Sequence, residues 1–598
     1  MRRRCNVLKV CLYGRGGWTA VVLALFALCI HQGTQAAASR QPVPPDEARV
    51  SAIAAALPET PGGATDFAPA TPAVIRAAEK LLSKPIPDAP DALYLEFTQN
   101  GNRTHYQAAH SARFKAFDKL VSAERTEGKG RFIAKIGDYL EAIATQRSWV
   151  LPAHDRDLGN FYGTNLTIDL VSSATAKTLA ETLVALKGRL LETSVRRTMD
   201  ELDRRVFSLY RADWAASKPK HWWFFGSNNW NPVCHCGVVS AALLVLPDRL
   251  DRARFVEAAL RAQPAFLSGF TPDGYCSEGM GYWNYGFGNY LTLGEAIRTA
   301  TGGKFDLFAE GGAIARAAAA YPFAYQLQDG ISPHFADGGG NPAEVNLAKC
   351  RRIWPGVGVE TSLPVRSTFP DAQVFISRAG GNRPFSAAVK GGHNGEQHNH
   401  NDVGTWTLML DGEELAGDPG GEIYTARTFS KNRYVSNVLN SFGHPVPRIA
   451  GELQKSGRRF AGKVLGTDFT DACDTVTLDI AGAYAVKGIR KLVRTTTFDR
   501  ASRVFTVKDD ILLNKPMALD VPIITYCAVT KGATPEMLTL TTPKGTKAEV
   551  HIAVEGGEWT LQDDLIKNPG KPSPRRLAVA FARPVTEASV AFTIKEEK

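Results

Sequence analysis

Cysteine is sparse in this 598-residue chain, with nine in all, and three of them (Cys5, Cys11 and Cys29) fall within the first 29 residues. The other six, Cys234, Cys236, Cys276, Cys350, Cys473 and Cys527, are scattered. That spacing excludes a disulfide-built scaffold, although a single pair could form in an oxidising compartment. Cys234-His235-Cys236 is no metal site, because consecutive helical residues point about 100° apart and cannot close on one small ion. No internal repeat or low-complexity tract is present, and no basic run with interleaved aromatics speaks for nucleic acid. The apolar run Trp18–Ile30 is too short for a comfortable membrane span. With Arg2, Arg3, Arg4, Lys9 and Arg15 before it and the small residues of TQAAAS after it, residues 1–38 are expected to be a cleavable signal peptide. The expected product is periplasmic or secreted, without a stable membrane span. Removing five basic and no acidic residues lowers the net charge from +10 to about +5, a mild excess that suits an anionic ligand.

Length predicts two or three domains. From about 75 to 355 helical patterning dominates. Leu179, Leu183, Leu186 and Leu190 mark one helix face, and further helices are expected at 108–125, 193–210, 235–246, 251–264, 288–300 and 308–326. So many antiparallel helices must close into a bundle or toroid to bury their faces. After TFPDAQVFISR, β-branched residues and alternation take over, and VRTTTFDRASRVFTVKDD predicts a hairpin turning near Asp499–Ser502. The expected organisation is a helical domain over 39–360, then an antiparallel β-sandwich over 361–598 with a smaller C-terminal sheet, subdivided near 500.

The densest chemistry lies in GGHNGEQHNHNDVGTWTLMLDGEELAGDPGG (Gly391–Gly421) and the following FGHPVPR, which hold His393, His398, His400 and His444 with Asp402 and Asp418. If His398 and His400 precede a strand in extended register, both imidazoles face one site. His400, Asp418 and His444 are a natural zinc trio, since zinc takes imidazole and carboxylate ligands. In the helical half, HWWFFGSNNWNPVCHCGVVSAALLV gathers Trp230, Asn231 and His235 at a loop-to-helix junction. Aromatic faces and amides there suit a sugar cleft. TPDGYCSEGMGYWNYGFGNY adds Glu278, Tyr282 and Tyr285 in a glycine-rich lead into a helix, and NGNRTHY adds Arg103. Loops 100–106, 154–165 and 424–434 are expected to set specificity, with Tyr424 and Arg433 as candidate substrate ligands.

RFIAKIGDYLEAIATQRSWVLPAHD, NNWNPVCHCGVVSAALLV, PDGYCSEGMGYWNYGFGNYL and, most specifically, GGHNGEQHNHNDVGTWTL with DPGGEIYT resemble the heparinase II/III-like polysaccharide lyases. The HNHND form looks closest to the heparinase II branch. The resemblance implies an N-terminal (α/α) toroid joined to an antiparallel β-sandwich with a cleft between them. It also implies cleavage of a uronic-acid-containing polysaccharide by β-elimination. Such a reaction needs donors against the uronate carboxylate, and a base and an acid within reach of C5–H and O4. By resemblance Tyr282 is the shared acid/base and Tyr285 the fallback. His398 is the alternative base on the opposite sugar face, His235 acts on the carboxylate or as a second base, and Glu278 orients them. Zinc on His400, Asp418 and His444 would then support the loop carrying His398. Two other classes compete. A metal-dependent hydrolase also uses HxH with a later Asp and His, but places it early in a (β/α) barrel, and a glycan-binding protein would need no catalytic set.

Overall fold

The computed structural model describes residues 44–63, 69–360 and 362–597. The expected signal peptide lies outside the described residues. Two helices, Glu47–Ala56 and Pro72–Leu82, open the described chain, each started by a side chain (Asp46, Thr71) that accepts from a first-turn N–H. The predicted helices follow with shifted ends: Thr104–Glu127, Leu170–Ala185, Glu192–Leu202, Trp230–Val245, Arg249–Leu267, Met280–Ala300 and Leu307–Ala324. The 193–210 helix is broken by a π-turn at Asp203–Phe207. Leu190 falls beyond the end of the helix that carries Leu179 and Leu183.

Trp230–Val245 is buried on every side from Asn231 to Leu244, as expected of a helix without a polar face. It packs against Leu170–Ala185, Arg249–Leu267 and Met280–Ala300. Gly237 makes this possible, because a Cβ there would lie 2.4 Å from the Ser173 carbonyl oxygen.

Among the described residues all strand pairs are antiparallel, in sheets of five, eight, four and two strands. The five-stranded sheet joins the two halves. Val374, Ile376, Ala388 and Met409 face the helical core, while Phe375, Phe385, Ala387, Val389, Trp406 and Leu408 face the sandwich core. Burial on both faces explains why VFISR and WTLML read as continuous apolar runs rather than as alternation. Arg378 strengthens the join by donating from Nε to the Gln326 carbonyl at 2.8 Å. The hairpin is present as Ile489–Asp499 paired with Val504–Met517. Both strands belong to the eight-stranded sheet, so position 500 is a turn inside one unit and not a domain division. All six described cysteines are free.

Candidate active site

Two loops cross between the halves and define a cleft. Ala426 N–H donates to the Gly101 carbonyl at 3.2 Å, and a Cβ on Gly101, whose φ is +80°, would lie 2.9 Å from the Ala426 Cβ. The cleft has a volume of about 480 Å³ and is lined by Arg103, Tyr282, Tyr285 and Asp337 with the backbone of Gly338–Gly339 and Glu422–Tyr424. Gly281, at the start of the helix carrying Tyr282, donates its N–H to the Gly338 carbonyl at 2.7 Å. This locks the loop bearing Asp337 onto that helix.

Asp337 is the hub. Its Oδ2 accepts from His398 Nδ1 at 3.1 Å and its Oδ1 from His400 Nε2 at 2.9 Å. Arg433 adds a 2.8 Å bond to Oδ2. Burial alone would raise this carboxyl, but the bonds from His398 and His400 and the Arg433 charge hold it well below the usual carboxylate range. His398 Nε2, in contrast, stands 3.7 Å from Glu278 Oε2, beyond hydrogen-bond length. With the proton on Nδ1 facing a carboxylate, the Nε2 lone pair is left free. His398 has φ +54° and Ala336, beside the hub, has φ +64°, in the left-handed region that non-glycine residues adopt uncommonly.

The imidazole of His398 stacks on the Tyr282 ring with centroids 4.0 Å apart and planes at 22°. The Tyr282 and Tyr424 hydroxyls are 2.6 Å apart, and the Tyr424 hydroxyl lies 3.2 Å from His398 Nδ1. Burial raises the Tyr282 phenol, so it rests protonated. Burial likewise raises the Glu278 carboxyl, against which the Asn229 side-chain amide donates.

Several expectations are corrected by these placements. Tyr282 and His398 are stacked with ring centroids 4.0 Å apart, which leaves no room for a sugar ring between them. Residues 398 and 400 are not on a strand; the strand begins at Trp406, and the two histidines converge because one carboxylate holds both. His235 is fully buried, with Nδ1 2.6 Å from the Tyr210 hydroxyl and Nε2 3.0 Å from the Phe224 carbonyl, so it belongs to the helical core. Asn231 is also fully buried, donating to the Phe224, Gly226 and Ala262 carbonyls. Arg433 is spent on Asp337 and the Asn399 carbonyl and braces the loop. Trp230 packs 4.6 Å from His154 and 5.2 Å from the exposed Trp222, outside the cleft lining. Tyr285 is a cleft wall at 39% exposure.

Burial holds the His235 imidazole down at about 4, which gives a stability prediction. A depressed histidine contributes stability above its unfolded value near 6.5 that is lost as pH falls toward 4. The loss amounts to about 3 kcal/mol when complete. His235→Gln is expected to flatten the dependence of unfolding free energy on pH between 6.5 and 4, as measured by denaturant titration. A slope equal to the unsubstituted chain's would contradict the core placement.

The residues fit a metal ion, with one change of ligand. His400 Nδ1 and His444 Nε2 are buried without a hydrogen-bond partner among the described residues, and the two rings lie 5.2 Å apart. His400, Asp402 and His444 each bring a ligand atom within 4.8 Å of the others. Asp418, expected as the third ligand, instead sits 3.0 Å from His444 Nδ1. Each histidine therefore has one nitrogen held by a carboxylate (Asp337 or Asp418) and the other free, the usual outer-shell arrangement for imidazole ligands. Lys390 Nζ lies 3.1 Å from Asp402 Oδ1 and 3.0 Å from Glu396 Oε2, so an ion would share the Asp402 carboxylate with a buried ammonium.

No protein-family model and no curated protein matches the sequence. Solved structures do match. A heparinase III aligns with TM-score 0.64 at 13% identity, covering 88% of this chain and 85% of its own. A second heparinase III gene product aligns with TM-score 0.62 at 11% identity over 88% of both chains. A mutant of the heparan sulfate lyase HepC from Pedobacter heparinus aligns with TM-score 0.58 at 12% identity, over 92% and 88%. The chain thus has the heparinase III-like fold, a helical (α/α) toroid followed by antiparallel sheets.

Proposed function

We propose that this chain is a polysaccharide lyase that cleaves a uronate-containing acidic polymer by β-elimination. The observation that carries the reading is the Tyr282–His398 stack, in which Tyr282 lines the cleft and its protonated phenol lies beside an imidazole whose Nε2 is free. In support, the fold is shared with proteins described as heparinase III and heparan sulfate lyase. The proposal does not depend on the heparinase II branch that HNHND resembles; the solved neighbours carry heparinase III names.

His398 Nε2 takes the proton from C5, and its Nδ1–H on Asp337 stabilises the resulting imidazolium. The Tyr282 hydroxyl protonates the departing 4-linked oxygen, and the C5 electron pair forms the C4–C5 double bond as the C4–O bond breaks. The Tyr424 hydroxyl bridges the Tyr282 hydroxyl and His398 Nδ1; loss of the Nε2 proton to solvent and uptake of one by Tyr282 reset the base and the acid. Base and acid on one side suit a sugar whose C5–H and C4–O lie on the same face. Arg103 lines the cleft without a carboxylate ion pair among the described residues, so it can offset the uronate carboxylate. Glu278, raised by burial, accepts from Asn229 and orients it.

Zinc held by His400, Asp402 and His444 would fix the loop bearing His398; all three are buried behind Asp337, which favours support over the open coordination a hydrolase needs. Free zinc at 100 times its Kd is expected to raise the unfolding free energy by about 2.7 kcal/mol. His444→Ala should abolish that response, and a melt unchanged by zinc or chelator in the parent chain would remove the metal. An export leader would place the reaction in the periplasm or outside the cell.

The reading is tested on a panel of uronate polymers. A lyase yields near-ultraviolet absorbance from the new double bond. Reducing ends without absorbance would mark a hydrolase, and binding with neither signal would mark a glycan-binding protein.

A further inference from the structure

The C-terminal sheet reaches the cleft through one loop. Gly570, at φ +77°, packs so closely that a Cβ would lie 2.6 Å from Ile423 Cδ1, and Lys571 Nζ donates to the Gly421 carbonyl at 2.7 Å. Tyr526 adds a 2.9 Å bond to the Pro419 carbonyl. The segment held next to these contacts, Glu422 to Tyr424, forms one wall of the cleft. Lys571 is exposed and has no carboxylate partner among the described residues. Beneath the same wall lies His334, whose side chain is 3.8 Å from where a Cβ would stand on either Gly339 or Gly420. Its imidazole has no hydrogen-bond partner among the described residues, and it lies within electrostatic reach of Asp418 and then of Lys571.

The charge balance of the cleft gives this pair a meaning. Both acidic residues in the lining are spent internally: Asp337 on Arg433 and two histidines, Glu422 on Arg427, Thr428 and Ser436. Arg103, in the lining on the helical side, and Lys571, behind the β-side wall and outside the lining, have no acidic partner among the described residues. An elongated anion with charges at intervals matches that arrangement. Resting on the lyase reading, we infer that Lys571 and His334 form a second anion subsite, which takes a sulfate or carboxylate on a sugar next to the one that is cleaved. The eliminated uronate needs only one counter-charge, so this subsite acts on which polymer is accepted.

The experiment measures binding of the full chain to heparan sulfate and to its desulfated form by calorimetry, alongside KM and kcat where cleavage is seen. Lys571→Ala is expected to weaken binding roughly 10-fold with kcat unchanged, while Lys571→Arg keeps most of the affinity. His334→Gln should weaken it less. Loss confined to the sulfated polymer identifies a sulfate, and equal loss on both identifies a neighbouring carboxylate. Unchanged affinity in Lys571→Ala overturns the subsite, as does a fall in kcat at unchanged affinity, which would make Lys571 only a buttress for Tyr424. Failure of the unmodified chain to bind either polymer also overturns it. Binding with no double-bond product from any polymer of the uronate panel would instead overturn the lyase reading, and the Lys571→Ala comparison would still decide the anion contact by itself.

Discussion

Tyr282→Phe is expected to lower turnover by roughly 10²–10⁴-fold, the range for loss of a positioned general acid, with little change in KM. The substitution keeps the ring that stacks on His398 and removes only the hydroxyl. Stability should therefore be nearly unchanged, and the loss falls on the proton that O4 needs as it leaves. Tyr285→Phe is the matched control. Its ring is part of the wall at 39% exposure, and its hydroxyl has no role in the His398–Tyr424–Tyr282 chain of bonds, so turnover should fall by less than about 10-fold. Initial rates of double-bond absorbance decide between them. Full turnover in Tyr282→Phe would remove the acid assignment.

Asp337→Asn should be of similar size, roughly 10²–10⁴-fold in kcat, for a different reason. The carboxylate holds the His398 proton on Nδ1. An amide can present its NH₂ there, which favours the opposite tautomer and takes the Nε2 lone pair from the cleft, as in triads whose orienting carboxylate becomes an amide. The change also leaves Arg433 and His400 without their anion, so some thermal destabilisation should accompany the loss. A double substitution with His398→Ala separates the effects. If Asp337 acts through His398, the two losses in kcat will be far from additive. Additive losses would mean that Asp337 only supports the loop.

Most of the architecture was legible because burial writes itself into pattern. The switch from helical spacing to β-branched runs near 365 is real, and the hairpin turns within one residue of its expected position. The site was legible in part. HNHND and the tyrosine-rich helix start stand out by residue type, and the fold brings both to one cleft. What failed depended on single-residue geometry. The helix starts at Trp230, so Asn231 turns into the core and Asn229, one residue outside, meets Glu278; both read alike in NNWN. His235 reads as a candidate until the helix proves buried all round. Asp337 was missed because FADGGGNP looks like a turn, and nothing local shows that this turn docks 61 residues away on His398. Sequence spacing points to Asp418, whereas in the fold it is Asp402 that brings a carboxylate oxygen within ligand distance of both imidazoles.

The central claim is that one pair of side chains on one face of a sugar breaks the chain without water. The most direct measurement runs the reaction in water enriched in heavy oxygen and weighs the products. Elimination predicts unsaturated ends lighter by one water than the hydrolysis product, with no heavy oxygen incorporated during cleavage. Saturated ends carrying heavy oxygen from the break itself would contradict it.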